Sequence, residues 1–234
     1  LIKSTFKDDN NAEKVLGEFI EKYLYKPLEK DSKIAQYIRM SDKENQKKGI
    51  DVEIYENNIR HIVDEKSALH YMNDGIPTFA LELSYYDKVG WFIRDDLSTD
   101  YYMLIWPYVE KELYDKYVTD KKNLKKKQVR ELLKNITVDS FTTIECILIS
   151  KKAIYEWLNE INIDKKYLEN KVKEINASKQ SGKFDGLNDN HYYIRSKSEE
   201  YNETPINLII RKPILEELCK HHYKFSKTGY EIIK

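Results

Sequence analysis

The chain has little that would staple, kink or anchor it. Only two cysteines occur in 234 residues, Cys146 and Cys219, and neither stands in a Cys-x-x-Cys or Cys/His ligand pattern. So sparse a pair excludes a disulfide framework and reads as reduced thiols of a cytoplasmic protein. No run of about 18 apolar residues is present, so no membrane-spanning helix and no membrane partner are expected. Residues 1–8 carry no apolar stretch and are not read as a signal peptide, and the missing initial Met is compatible with a trimmed chain. Charge of one sign is lacking too: 40 basic residues stand against 40 acidic ones. That balance removes the argument for a strongly basic nucleic-acid domain and leaves only local patches to do such work. Gly-rich phosphate loops, G-x-S-x-G and H-E-x-x-H are absent, so nucleotide-triphosphate and serine-hydrolase readings lose their main support. Glycine and proline are scarce, at seven and five, while nineteen tyrosines help bring the aromatics to 12%. Such a chain is not disordered, and it is long enough to bury a core.

The patterning predicts a mixed α/β or α+β protein. Ala12, Val15, Leu16, Phe19, Ile20, Tyr23 and Leu24 fall at helical spacing, which predicts a helix over residues 11–28 closed by Pro27. A polar connector follows over 29–48, with one irregular turn around 34–40. Residues 49–56 then alternate polar and apolar, as do 59–66 after Asn57-Asn58, and together they read as one hairpin. Further strands are expected at 78–86, 90–95 and 101–106, the last ended by Pro107. The second half is richer in helix: 124–136, 151–161, 164–175 and 213–223, with strands at 141–150 and 206–211 and a loop over 178–190. Residues 1–108 are therefore read as the core and 109–234 as an α-rich remainder that completes the sheet, either as a second unit or within the same domain.

The hairpin carries the chemistry. A two-residue turn with Asn in both places supplies the positive φ angles of a type I′ turn. With that loop, Asp51 lies directly opposite Asp64, and Gly49 opposite Lys66. Ile50, Val52, Ile54, Ile59 and Val63 then share the core face. Asp51, Glu53, Tyr55, Arg60, Ile62, Asp64 and Lys66 share the other. Directly opposed carboxylates put their Cβ atoms about 4.5–5.5 Å apart and repel as bare charges. A divalent cation is the simplest compensation, since Mg²⁺ commonly takes one or two carboxylates with water and phosphate oxygens. Lys66 projects from the same face, where it can reach a phosphate oxygen or a water, and Gly49 leaves room for a substrate backbone.

This order of parts, a helix, then Asp51, then the Asp64-x-Lys66 triplet and further strands, resembles the PD-(D/E)xK nuclease superfamily over residues 13–106. The segment Gln46-Lys47-Lys48-Gly49-Ile50-Asp51 is similar to the Gln-x-x-Gly-x-Asp motif of some restriction-type subgroups, although Gly49-Ile50 stands where the superfamily's Pro would be. The resemblance implies a restriction-endonuclease-like αβββαβ core and Mg²⁺-dependent cleavage of phosphodiester bonds, with Mn²⁺ as a substitute. It also implies that Asp51, Asp64 and the main-chain carbonyl of Glu65 bind the metal and that Lys66 positions or polarises the attacking water. The superfamily often adds a Glu from the first helix. Glu13 lies about 80° from the centre of the apolar stripe, whereas Glu18 and Glu21 lie roughly 140° and 160° away, so Glu13 is the choice. Glu82 alternates with Phe79, Leu81 and Leu83 and is a further candidate for the cleft. Gln46, Lys47 and Lys48 are candidate substrate contacts.

Other signals are weaker. The basic run over 121–127 reads first as a solvated helix start and second as a phosphate contact. Tyrosine pairs at 85–86, 101–102 and 192–193 read as core or rim packing ahead of base stacking, and His221-His222 as helix-surface residues. The sequence thus leads to a cytoplasmic, metal-dependent DNA endonuclease of restriction type that acts on double-stranded DNA, with a homodimer surface as one use of the second half. Standing beside it are an inactive nuclease-fold module that binds nucleic acid or protein, an RNA-processing nuclease, and a plain α+β interaction protein.

Overall fold

Strands buried on both faces read as near-continuous apolar runs, and residues 101–109 and 141–150 are such runs. In the computed structural model, which describes residues 6–86, 88–120, 124–184, 191–196 and 205–234, they are the middle strands of a large sheet. In chain order the strands are β1 Gln36–Arg39, β2 Val52–Glu56, β3 Ile59–Ser67, β4 Thr78–Tyr85, β5 Lys88–Val89 and β6 Tyr101–Val109. After them come β7 Phe141–Ser150, β8 Gly182–Phe184, β9 Tyr192–Ser196, β10 Ile206–Arg211, β11 His221–Ser226 and β12 Gly229–Ile232. The helices are α1 Phe6–Ile20, α2 Lys26–Lys30, α3 Lys43–Lys47, α4 Lys111–Tyr117, α5 Lys125–Lys134, α6 Lys151–Glu160, α7 Lys165–Ser178 and α8 Lys212–Leu218.

A seven-stranded mixed sheet has the order β1-β2-β3-β6-β7-β11-β12, and a five-stranded sheet the order β5-β4-β10-β9-β8. Among the described residues only β3 and β6 pair in parallel, which requires a crossover connection, made between Ser67 and Tyr101. One face of the large sheet packs on α1 and α5: Leu16, Phe19, Leu132 and Leu133 meet Val52, Val63, Met103, Ile144 and Cys146. Here the Phe19 ring lies 5.5 Å from Phe141 and 6.0 Å from Phe225. The other face packs on the small sheet and on α6, α7 and α8, where Tyr102, Leu104, Ile147 and Ile149 meet Leu81, Ile154, Leu168, Leu208 and Leu215. Two cores on the two faces of one sheet make an α+β protein. The strands expected at 141–150 and 206–211 have those bounds.

Several elements depart from expectation. Pro27 does not end the first helix. Residues 21–25 widen into a π turn, in which Lys26 N–H donates to Glu21 O. That turn lets the chain continue past a residue with no N–H and a bulky ring. The connector over 29–48 contains edge strand β1 and short α3, whose half-exposed residues give no apolar stripe. Residues 90–95 form a turn instead of a strand: Gly90 N–H donates to Leu83 O and Phe92 N–H to Glu82 O. A Cβ on Gly90 would lie 2.3 Å from the Glu82 oxygen, so the chain crosses β4 too closely for a paired strand. Strand β6 runs through Pro107 to Val109. Its pairing with β3 stops at Ile105, and the Pro107 carbonyl faces Asn73 on that vacated side, so the missing N–H breaks no ladder. Helix α8 stops at Leu218, and the period changes to two, with Tyr223 and Phe225 turned into the core of β11. Helix α4 and strand β12 were not expected. Of the loop at 178–190, residues 182–184 form β8 and 185–190 lie outside the described residues.

Candidate functional site

Asn57 and Asn58 have φ of 51° and 63°, the left-handed values that a type I′ turn requires. The hairpin register is Val52↔Val63, Glu53↔Ile62 and Ile54↔His61, so one further step brings Asp51 level with Asp64. The backbone ladder ends there. Asp51 N–H donates to Val63 O at 3.0 Å, and the Asp51 carboxylate then accepts the Glu65 N–H at 2.8 Å. A side chain thus takes the place of the next backbone acceptor and is drawn into the site.

Asp64 is 2% exposed. Its Oδ1 accepts from Lys66 Nζ at 2.6 Å, while its Oδ2 is buried with no hydrogen-bond partner among the described residues. Burial, followed by the charge of Asp64, pushes the Asp51 carboxyl up to about 8, so the pair resists carrying two negative charges. Lys66 is held above its ordinary value. Burial opposes this, but Asp64, Asp51 and Glu13 outweigh it, so the ammonium is charged at neutral pH. Gly49 walls the unpartnered oxygen. It has φ +70°, and a Cβ there would lie 2.4 Å from Thr99 Oγ1 and 3.3 Å from Asp64 Oδ2. The buried Thr99 hydroxyl donates to Gly49 O at 3.0 Å, and Ser98 N–H donates to Lys48 O at 2.9 Å.

The sequence candidates divide. Asp51, Asp64 and Lys66 come together, and Glu13 on α1 acts on Lys66 although its own side chain is exposed. Glu82 on β4 lies in the field of Lys66, with its carboxyl pushed up by burial and held back by the Trp91 N–H and by Lys66. The Lys66 ammonium stands 5.2 Å from the Trp91 ring centroid. The Glu65 side chain leaves the site for the opposite face, where Arg39 binds it at 2.8 and 3.1 Å and Tyr25 Oη donates at 2.8 Å. Its main chain faces Asp51, since a strand residue's N–H and C=O point to the same neighbour. Gln46, Lys47 and Lys48 are exposed on α3 and the turn before Gly49. Residues that sequence reasoning missed are Thr99, Trp91 and Tyr102. They reach the site from the crossover and from the neighbouring strand, so no local spacing pointed to them.

The weaker candidates resolve in strand geometry. Tyr102 and Tyr192 are buried, while Tyr86 is exposed and Tyr101 and Tyr193 are half-buried. Residues 121–123 of the basic run lie outside the described residues, and Lys125 is bonded to Asp74. His221 and His222 lie on a strand, not a helix, because the period has changed by then. His222 is buried and bonded to Glu145 at 2.8 Å. Glu145, Glu216 and His222 bring one potential ligand atom each within 4.8 Å of one another. Both Glu145 oxygens are already engaged, the second by Lys212 at 2.6 Å. At Asp51 and Asp64, by contrast, one carboxylate oxygen has no hydrogen-bond partner among the described residues.

No helix among the described residues is long and apolar enough to cross a membrane. Comparison of the chain with family models, curated proteins and solved structures finds no match. Fold and site together define an α+β protein with a carboxylate pair, Asp64 buried and Asp51 half-buried, and a lysine at the junction of its two sheets.

Proposed function

We propose that the chain is a metal-dependent phosphodiester hydrolase of the PD-(D/E)xK type, a DNA endonuclease acting on double-stranded DNA. The observation that carries this reading is the unpartnered, buried Asp64 Oδ2 beside a second carboxylate that resists ionisation. Unsatisfied buried acceptors are rare and costly, and a carboxylate pair is a donor set that suits Mg²⁺. Asp51 and Asp64 would hold the ion, with the Glu65 main chain close by. When bound, Mg²⁺ lowers the pKa of water and neutralises charge on the scissile phosphate and the leaving oxygen.

The residues divide the remaining work. Because its ammonium is kept charged, Lys66 acts as a hydrogen-bond donor that orients water or a phosphate oxygen, and it does not accept a proton. Glu13 and Glu82 fix that ammonium by charge. The lack of a side chain lets Gly49 pack against Asp64 Oδ2 without crowding it, and the exposed Lys47 and Lys48 just before it in the chain offer cations to the phosphate backbone.

Calorimetric titration of Mg²⁺ and Mn²⁺ into wild type and the Asp51→Asn/Asp64→Asn double variant tests the site, followed by incubation with plasmid DNA and with RNA. Binding and DNA cleavage are expected in wild type only. Lys66→Ala is expected to keep metal binding and to lose cleavage by about 100-fold or more, the scale of removing one positioned donor. No metal bound by wild type would sink the proposal, and cleavage of RNA alone would replace the substrate.

A further inference from the structure

Two buried polar atoms on neighbouring strands have no hydrogen-bond partner among the described residues, and they are complementary. Asp64 Oδ2 is an acceptor, and the Tyr102 hydroxyl is a donor. Asp64 and Tyr102 are register partners across the parallel β3–β6 pair, and partners in a parallel pair project to the same face. Tyr102 is fully buried. Its ring is fixed edge-on to Trp91 at 5.0 Å and lies 6.3 Å from Phe92. Phenylalanine would fill that space equally well, without a buried hydroxyl that costs about 1–3 kcal/mol when unsatisfied. Burial, and after it the charge of Asp64, push the hydroxyl well above its ordinary value, so it remains a donor and never serves as a base near neutral pH.

We propose that Tyr102 is a positioning residue of the candidate site, whose O–H holds a water against Asp64 Oδ2, across the carboxylate from Lys66. A bound water needs two to four polar partners. The hydroxyl and the carboxylate oxygen supply two, one of each kind. The inference rests on the reading of Asp51 and Asp64 as cation ligands, because it places this water beside the ion and fixes its orientation toward the substrate. A buried phenol is a better holder for this purpose than a lysine, because it has two χ angles and is locked by two aromatic neighbours.

The test compares wild type with Tyr102→Phe as full-length chains. Mn²⁺ affinity is measured by calorimetry, the exchange of water on the bound Mn²⁺ by solvent-proton relaxation, and plasmid cleavage by steady-state kinetics. Tyr102→Phe is expected to bind Mn²⁺ with wild-type affinity and to unfold at the same or a higher temperature. Its water exchange is expected to be faster, and its kcat about tenfold lower or more at unchanged KM, the range seen when a partner just outside a metal site is removed. Unchanged relaxation and unchanged kcat, with a raised Tm, would reduce Tyr102 to core packing while leaving the metal reading intact. Wild type that binds no Mn²⁺ would overturn that reading, and the inference with it.

Discussion

A carboxyl group that resists ionisation in the folded chain sets a stability signature of its own. The Asp51 carboxyl is pushed from an ordinary 3.8 up to about 8. Between these values the folded state holds a proton that the unfolded state has released, so stability of the metal-free protein falls as pH rises through this window. The loss is complete above about pH 8 and absent below about pH 4. Asn at this position keeps an oxygen to accept the Glu65 N–H and cannot ionise. Asp51→Asn is therefore expected to stabilise the metal-free protein at pH 8.5 by about 1–3 kcal/mol, the scale of a buried desolvation penalty, with the gain vanishing towards pH 4. Urea unfolding at several pH values in EDTA checks this. A gain that does not depend on pH would mean that the pair carries no excess proton. Saturating Mg²⁺ is expected to reverse the order, because binding to the native state stabilises only the chain that keeps its ligand.

Between elements, two contacts hold the site in shape. The first ties the loop at 98–100 to the turn before β2 and to β3: Thr99 Oγ1 donates to Gly49 O, and Asp100 exchanges hydrogen bonds with the Ile62 backbone through its N–H and its carboxylate. Thr99→Val keeps the shape and removes the donor, and it is expected to cost about 1–2 kcal/mol. Gly49→Ala meets both a positive φ and the Thr99 hydroxyl, and is expected to cost more and to weaken Mn²⁺ binding through its approach to Asp64 Oδ2. Calorimetry with thermal unfolding separates the two effects. The second contact lies behind β3, where the Arg39–Glu65–Tyr25 cluster also reaches α1 through Gly17 O at 3.2 Å. Removing one partner of a largely buried pair leaves the other uncompensated. Glu65→Gln is therefore expected to cost about 3 kcal/mol in chemical denaturation, and a change below 0.5 kcal/mol would show that solvent screens the pair.

At the scale of the molecule, the two halves of the sequence are not two halves of the structure. Strand β6 pairs with β7, β4 pairs with β10, and α1 packs on α5. Residues 1–108 leave β6 with an open edge and half of each core exposed. That fragment is expected to show no cooperative thermal transition, while the whole chain unfolds in one, as calorimetry will show. Two separate transitions in the whole chain would mean that the two cores fold independently. The hairpin, the strands at 141–150 and 206–211, and the helices at 125–134, 151–160 and 165–178 were legible because their signals are local: a turn with two asparagines, period-two alternation, and apolar stripes at helical spacing. Strands β1, β11 and β12 were not: β1 and β12 are short edge strands with largely exposed residues that give no apolar alternation, and β11 follows α8 directly, so its apolar residues read as a continuation of the helix.

By itself the sequence determined which side chains share a face. The Asn57-Asn58 turn fixes the register, the register opposes Asp51 to Asp64, and the period of two puts Lys66 beside them. Only the tertiary structure decided what surrounds them. The parallel β3–β6 pairing delivers Tyr102, the crossover delivers Thr99, Trp91 and Glu82, and the second sheet closes over them. Burial of that kind turns two ordinary carboxylates into a pair that cannot both ionise alone. The physical reason is that repulsion and desolvation depend on the dielectric around a charge, and the layers packed on either side of the sheet set that dielectric, not the residues next in sequence.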